Sequence, residues 1–98
     1  MGKLFMVEFE LPEILTEEFI RRIPRQRDYV NHLLAEGKIK SYSLAADRSR
    51  LWVVFIARSE FEVLETIAQF PLGDMMTPEV KELAFHNARD TMLQFSMN

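Results

Sequence analysis

Ninety-eight residues, 48% of them apolar and 28% charged, describe one foldable domain, outside the low-hydrophobicity, high-charge regime of disorder. A chain this short buries roughly 65% of the surface its unfolded form exposes, so it supports one modest core and would need a partner for a second. Twelve Lys and Arg against fifteen Asp and Glu leave a net charge of −3, which gives no broad basic surface for a phosphate backbone, and nucleic acid is not an expected partner.

With no cysteine there is no disulfide framework, thiolate nucleophile or cysteine-ligated metal. The N-terminal MGKLFMVEFELPE lacks the long apolar core of a signal peptide, and no run approaches the ~18 apolar residues of a membrane span. These features lead us to expect a soluble, cytoplasmic domain over residues 1–98, with no membrane partner and a tail from about residue 86.

In chain order, LFMVEFEL (residues 4–11) alternates, with Phe5, Val7, Phe9 and Leu11 on one face and Leu4, Met6, Glu8 and Glu10 on the other. This is strand periodicity, and the first face is core. Pro12 ends the strand. Thr16 then suits a helix N-cap, with Glu17 and Glu18 in a first turn where the helix dipole favours anions. Phe19, Ile20, Ile23, Val30, Leu33 and Leu34 recur at helical spacing up to Gly37, which suits the left-handed residue past a helix end. Pro24 interrupts that pattern and predicts a kink or two short helices.

KIKSYSLA (38–45) reads as a second strand through Ile39, Tyr42 and Leu44, although its alternation is weak. Asp47 to Ser49 supply turn chemistry, and RLWVVFIA (50–57) returns as a third strand in a hairpin. Ser59 and Glu62 form a capping box before a helix with Phe61, Leu64, Ile67 and Ala68 as its apolar stripe. Pro71 and Gly73 end that helix, TPEVKELAF can form a fourth strand, and HNARDTMLQFSMN suits a short helix or a docking tail.

The order strand, helix, strand, strand, helix, strand is the split βαβ, ferredoxin-like arrangement, an α+β fold with both helices on one face of a four-stranded antiparallel sheet. RLWVVFIA is apolar at every position from Leu51 to Ala57, so the face away from the helices is apolar too. If Trp52, Val54 and Ile56 form that face, they make a larger patch than monomers usually expose. Leu51, Val53 and Phe55 are the alternative set. A second copy packing sheet to sheet, a dimeric α/β barrel, is the economical cover, because each buried large side chain contributes roughly 1.5–3 kcal/mol.

Chemistry-bearing residues are few. RRIPRQR (21–27) holds four arginines that can meet an anion, although Glu17 with Arg21 and Glu18 with Arg22 are i,i+4 pairs that make a salt-bridged helix face the simpler account. His32 and His86 have no second ligand at metal-binding spacing, so no metal or other cofactor is expected. Glu8 and Glu10 point away from the Phe5 face, toward a subunit interface or its rim, and a buried carboxylate there would serve as general base. Asp28 and Tyr29 on the first helix and Tyr42 on the second strand can border a cleft. Glycine-rich phosphate loops, GxSxG and HExxH are absent.

Residues 36–72, EGKIKSYSLAADRSRLWVVFIARSEFEVLETIAQFPL, resemble the muconolactone delta-isomerase-like family in the helix-ending EG, the hairpin into VVFIA, the serine-capped helix and FPL in place of an LPL-type turn. Leu11 and Pro12 agree, and the likeness extends to about Phe85. The resemblance implies a ferredoxin-like subunit in a dimeric barrel, often built into larger rings, with an apolar pocket for a small organic acid or lactone. It departs from the family where an HLWR-type motif is replaced by Ser41–Leu44, where a histidine is replaced by Glu65, and where FPYM is replaced by Gly73–Met76. These changes remove cationic groups suited to a substrate carboxylate.

Related chemistry needs proton removal beside a carbonyl and its return at another carbon. Glu8, Glu10 and Asp28 are the candidate bases and Tyr42 the candidate donor to an enolate oxygen. The competing expectation is a non-catalytic ligand-binding or assembly module on the same barrel, and fold analogy alone adds a cofactor-free monooxygenase.

Overall fold

Alternation in the first segment produces β1, Lys3–Glu10, in the computed structural model of the chain, which describes residues 2–89. Phe5, Val7 and Phe9 are buried as their spacing requires. The Thr16 hydroxyl accepts from the Phe19 amide at 3.2 Å and opens α1, Glu17–Ala35.

Of the two outcomes expected at Pro24, a kink or two short helices, the second does not occur, for α1 is one helix of 19 residues. Proline leaves the Ile20 carbonyl without its helical donor, but Ile20 and Pro24 are both exposed, so water can take that bond. The stripe is also narrower than expected. Phe19, Val30 and Leu33 are buried, whereas Ile20 and Leu34 face solvent because each lies about 100° around the helix from a buried neighbour. Gly37 takes φ +76° beyond the helix, as its position predicted.

Strands β2 (Ile39–Leu44) and β3 (Arg50–Ala57) form the expected hairpin. Its turn is held by Asp47, whose Oδ1 accepts from the Ser49 amide at 3.0 Å and hydroxyl at 2.6 Å, while Arg48 takes φ +63°. A bulge between Ile39 and Ser41 explains the weak alternation of β2. Ile39 and Tyr42 are three apart, yet they pair with Phe55 and Val53 on one face because the extra residue shifts the register.

Helix α2, Glu60–Ala68, starts at Ser59, whose hydroxyl accepts from the Glu62 amide. Its predicted stripe turns the wrong way in part. Val63 and Ile67 are buried, whereas Phe61 is 69% exposed and Leu64 and Ala68 also face outward. Nine residues present apolar groups all round, so periodicity cannot select the side that meets the sheet. A short 3₁₀ turn at Gly73–Met75 leads into β4, Thr77–Glu82. A Cβ at Gly73 would lie 2.6 Å from the Ile67 carbonyl oxygen, so this tight passage excludes other residues without a backbone shift.

The sheet order is β2–β3–β1–β4 with every neighbouring pair antiparallel, the ferredoxin-like arrangement. The core is the helix-facing layer, where Phe5, Val7, Phe9, Val53 and Phe55 meet Val30, Leu33, Val63 and Ile67. Phe70 is its aromatic centre, stacked on Phe9 with ring centroids 5.6 Å apart and meeting Tyr29 edge-on at 5.6 Å.

The opposite face carries Trp52, Val54 and Ile56 beside Met6 and Glu8, in the register Met6 to Val54 and Glu8 to Trp52. The alternative Leu51, Val53, Phe55 set is the helix-covered one. The patch is smaller than expected because Val54, between Met6 and Ser41 across the sheet, is only 3% exposed. Residues 86–89 form no helix, and the rest of the predicted terminal helix or tail lies outside the described residues. Among the described residues no helix is long and apolar enough to cross a membrane.

Candidate functional site

Five residues of α1 share one helical face, Phe19, Ile23, Gln26, Arg27 and Val30, and they wall a cleft of about 370 Å³. The far wall comes from Tyr42 and Leu44 on β2 and Leu51 on β3, the floor from Leu72 and Met76, and the remaining rim from Leu11, Leu15 and Arg48. Its volume is at the lower end of the roughly 300–1,000 Å³ usual for small-molecule sites, and its walls are mainly apolar.

Two side chains one turn apart on α1 grip the segment that forms the floor. The Arg22 guanidinium donates to the Pro71 carbonyl at 3.1 Å and to Asp74 at 2.8 Å. Gln26 Oε1 accepts from the Leu72 amide at 3.0 Å. Because the Leu72 amide is a donor, the Gln26 atom facing it is oxygen, and Nε2 is the free end. Gln26 is only 7% exposed and its Nε2 has no hydrogen-bond partner among the described residues. An unsatisfied buried donor costs roughly 1–3 kcal/mol, so its retention calls for an explanation.

The arginine-rich segment divides into two roles. Arg21 and Arg22 both pair with Glu18, at 2.8 and 3.0 Å. Glu17, the expected partner of Arg21, is bypassed because Glu18 stands three and four residues from the two arginines and reaches both. Hydrogen bonding from Arg22, with the fields of Arg21 and Arg22, holds the Glu18 carboxyl below its ordinary pKa. Arg27 and Arg48 stand at the cleft and have no carboxylate within 4 Å among the described residues.

The four candidate catalytic residues are not brought together. Tyr42 lines the cleft, and its hydroxyl donates to Asn31 Oδ1 at 2.6 Å. Asp28 is exposed on α1 beside the cleft-lining Arg27. Glu8 and Glu10 occupy the open sheet face, where Trp52 Nε1 donates to Glu8 at 2.9 Å and Arg50 reaches Glu8 and Glu10 at 3.5 Å each. His32 pairs with Glu36 at 3.3 Å on the surface. No cluster of three or more His, Asp or Glu suited to a metal occurs among the described residues.

Gln26, Arg27 and Arg48 were not individual candidates from sequence. The signals available were the cationic RRIPRQR segment and, for Gln26, its helical spacing between Ile23 and Val30, which puts it on the apolar stripe.

A ferredoxin-like α+β domain with a one-sided helical layer and an apolar, cation-rimmed cleft defines the class. The sequence profile of the muconolactone delta-isomerase family matches residues 4–89, and the chain belongs to that family. Its fold is that of a crystal structure of muconolactone isomerase at 3.3 Å, with TM-score 0.69 and 24% identity over 87% of this chain and 92% of that one. No curated protein matches the chain.

Proposed function

We propose that this protein isomerises a small lactone or related organic acid by proton transfer within the α1 cleft, and that it works as a homodimer or a multiple of one. The observation that carries this reading is the apolar cleft lined by two guanidinium groups, Arg27 and Arg48, that have no carboxylate partner among the described residues. Family membership supports the reaction class.

In such a reaction a base removes the proton beside the carbonyl, the electron pair moves onto the carbonyl oxygen as an enolate, and a proton returns at a different carbon. Charge and atoms balance without an oxidant or reductant. Arg27 and Arg48 can hold a substrate carboxylate, and Tyr42, whose hydroxyl donates to Asn31 in this structure, becomes a donor at the wall once that hydrogen turns from Asn31 to the ligand. Asp28 is the base candidate on the cleft helix. Glu8 and Glu10 would act only if assembly brought the open sheet face to a ligand.

One observation favours a second reading, a binding module without catalysis: among the described residues no carboxylate lines the cleft. Incubation with muconolactone in deuterated buffer, followed by proton NMR, separates the two. Isomerase chemistry gives carbon-bound hydrogen exchange well above the buffer rate, lost in Asp28→Asn, Glu8→Gln, Glu10→Gln or Tyr42→Phe. Saturable binding with no exchange establishes the binding module instead.

Self-association uses the open face with Trp52, Val54 and Ile56, which is apolar beside Met6 and polar at Glu8, Glu10 and Arg50. A stable monomer in sedimentation at micromolar concentration refutes it.

A further inference from the structure

We infer that Asp47 is a positioning residue for the cleft: through Ser49 it holds Arg48 in a left-handed backbone conformation that brings the Arg48 side chain to the cleft, where it reads a ligand's charge. This rests on the cleft being the ligand site and assigns the part of the chain that sets its charge selectivity.

Two cations stand close together in the β2–β3 hairpin and serve opposite faces of the sheet. Arg50 lies across from Glu10 on β1 and reaches Glu8 and Glu10 on the open face. Side chains two apart on a strand share a face, so an extended continuation of β3 would carry Arg48 to that same open face. Arg48 instead takes φ +63° and lines the cleft with Leu44 and Leu51, which pair on the helix-facing side. From β2 the cleft receives only Tyr42 and Leu44, so the turn is what brings a cation to this wall.

Left-handed backbone costs energy for a residue with a long side chain and little for glycine, so an arginine at this φ needs holding and a reason to be held. The holding is visible. Asp47 Oδ1 accepts from the Ser49 amide at 3.0 Å and from its hydroxyl at 2.6 Å. The Ser49 carbonyl accepts from the Leu11 amide at 3.1 Å, and the Arg48 amide donates to the Ala45 carbonyl at 2.9 Å. Leu11 is itself on the cleft rim, so the turn is tied to the wall it serves. The Ser49 hydroxyl and amide also hold the Asp47 carboxyl below its ordinary pKa, which keeps it ionised and a strong acceptor at neutral pH. Arg48 is exposed and has no carboxylate within 4 Å among the described residues, Asp47 included, so its guanidinium is open to an anion.

Stability and binding should therefore move in opposite directions at this one position. Arg48→Gly should raise the urea midpoint, because glycine takes the left-handed conformation at little cost. Muconolactone and its methyl ester, which keeps the shape and loses the charge, are the binding probes. Arg48→Gly should weaken the acid about tenfold and leave the ester within about twofold, the loss of roughly one charge-assisted hydrogen bond. Asp47→Ala should weaken the acid about threefold and spare the ester, although it removes a negative charge from the turn. Asp47→Asn should restore the affinity, since its amide oxygen accepts the same two bonds.

If Asp47→Ala does not fold, the Arg48 Nε–H signal of 15N-labelled wild-type protein gives the answer, moving with the acid and staying still with the ester. A lower urea midpoint in Arg48→Gly, acid and ester weakened alike, an acid affinity that survives Asp47→Ala, or an unmoved Arg48 signal overturns the inference. Wild-type protein that binds both probes, with affinities unchanged in Arg48→Gly, removes this inference and leaves the cleft as the ligand site. Absence of saturable binding to either probe removes both.

Discussion

The two faces of β3 are both apolar and have different fates. Val53, Phe55 and Ala57 face the helices and are buried, whereas on the other side Trp52 is half-buried, Val54 is hidden among its sheet neighbours and Ile56 is partly exposed. One strand thus carries a finished core and an unfinished one. Apolar content sets how much surface has to be covered, and the position of the helices decides which half the chain covers itself.

The contrast is broken most severely at Phe55. Phe55→Ala should cost about 3–5 kcal/mol in urea unfolding, because it removes a fully buried ring from the layer around Phe70. Loss of less than about 1 kcal/mol would show that this face is not the main core.

Trp52→Glu tests the other side. It should leave each subunit folded and weaken association by about 2 kcal/mol or more, roughly 30-fold, as measured by sedimentation. An unchanged oligomer would mean that the open face is not the contact. Glu8→Gln should change subunit stability by no more than about 0.5 kcal/mol, since the partially exposed Arg50 pair is screened and glutamine still accepts from Trp52.

The smallest effect concerns acid. Glu18 is held below its ordinary pKa by Arg22 and then Arg21, and Asp47 by the Ser49 hydroxyl and amide. A depressed folded pKa means stability present above the unfolded value and lost as pH falls through the folded one. Thermal melts should therefore show a shallow decline in Tm below the ordinary carboxylate range, and Glu18→Gln should flatten part of it. Identical pH profiles for the two proteins would remove the Arg22 contact as a contributor.

Much of this protein was determined locally. The β1 alternation, the Thr16 and Ser59 caps, the left-handed Gly37 and the hairpin turn depend on residues within a few positions of one another, where backbone sterics and short hydrogen bonds decide. Even the bulge left a trace, in the three-residue step from Ile39 to Tyr42. Tertiary structure decided which sides of α2 and β3 are covered, since both present apolar groups in more than one direction and only docking chooses among them. It also decided the site. Gln26 stands at helical spacing between Ile23 and Val30, so its place on the buried face follows from the sequence, but nothing nearby in the chain foretells what packs against its amide. A turn 46 residues away takes its oxygen and leaves its nitrogen without a partner among the described residues. Satisfaction of a buried polar group is a property of whatever packs against it, so this donor could be recognised only once the chain had folded.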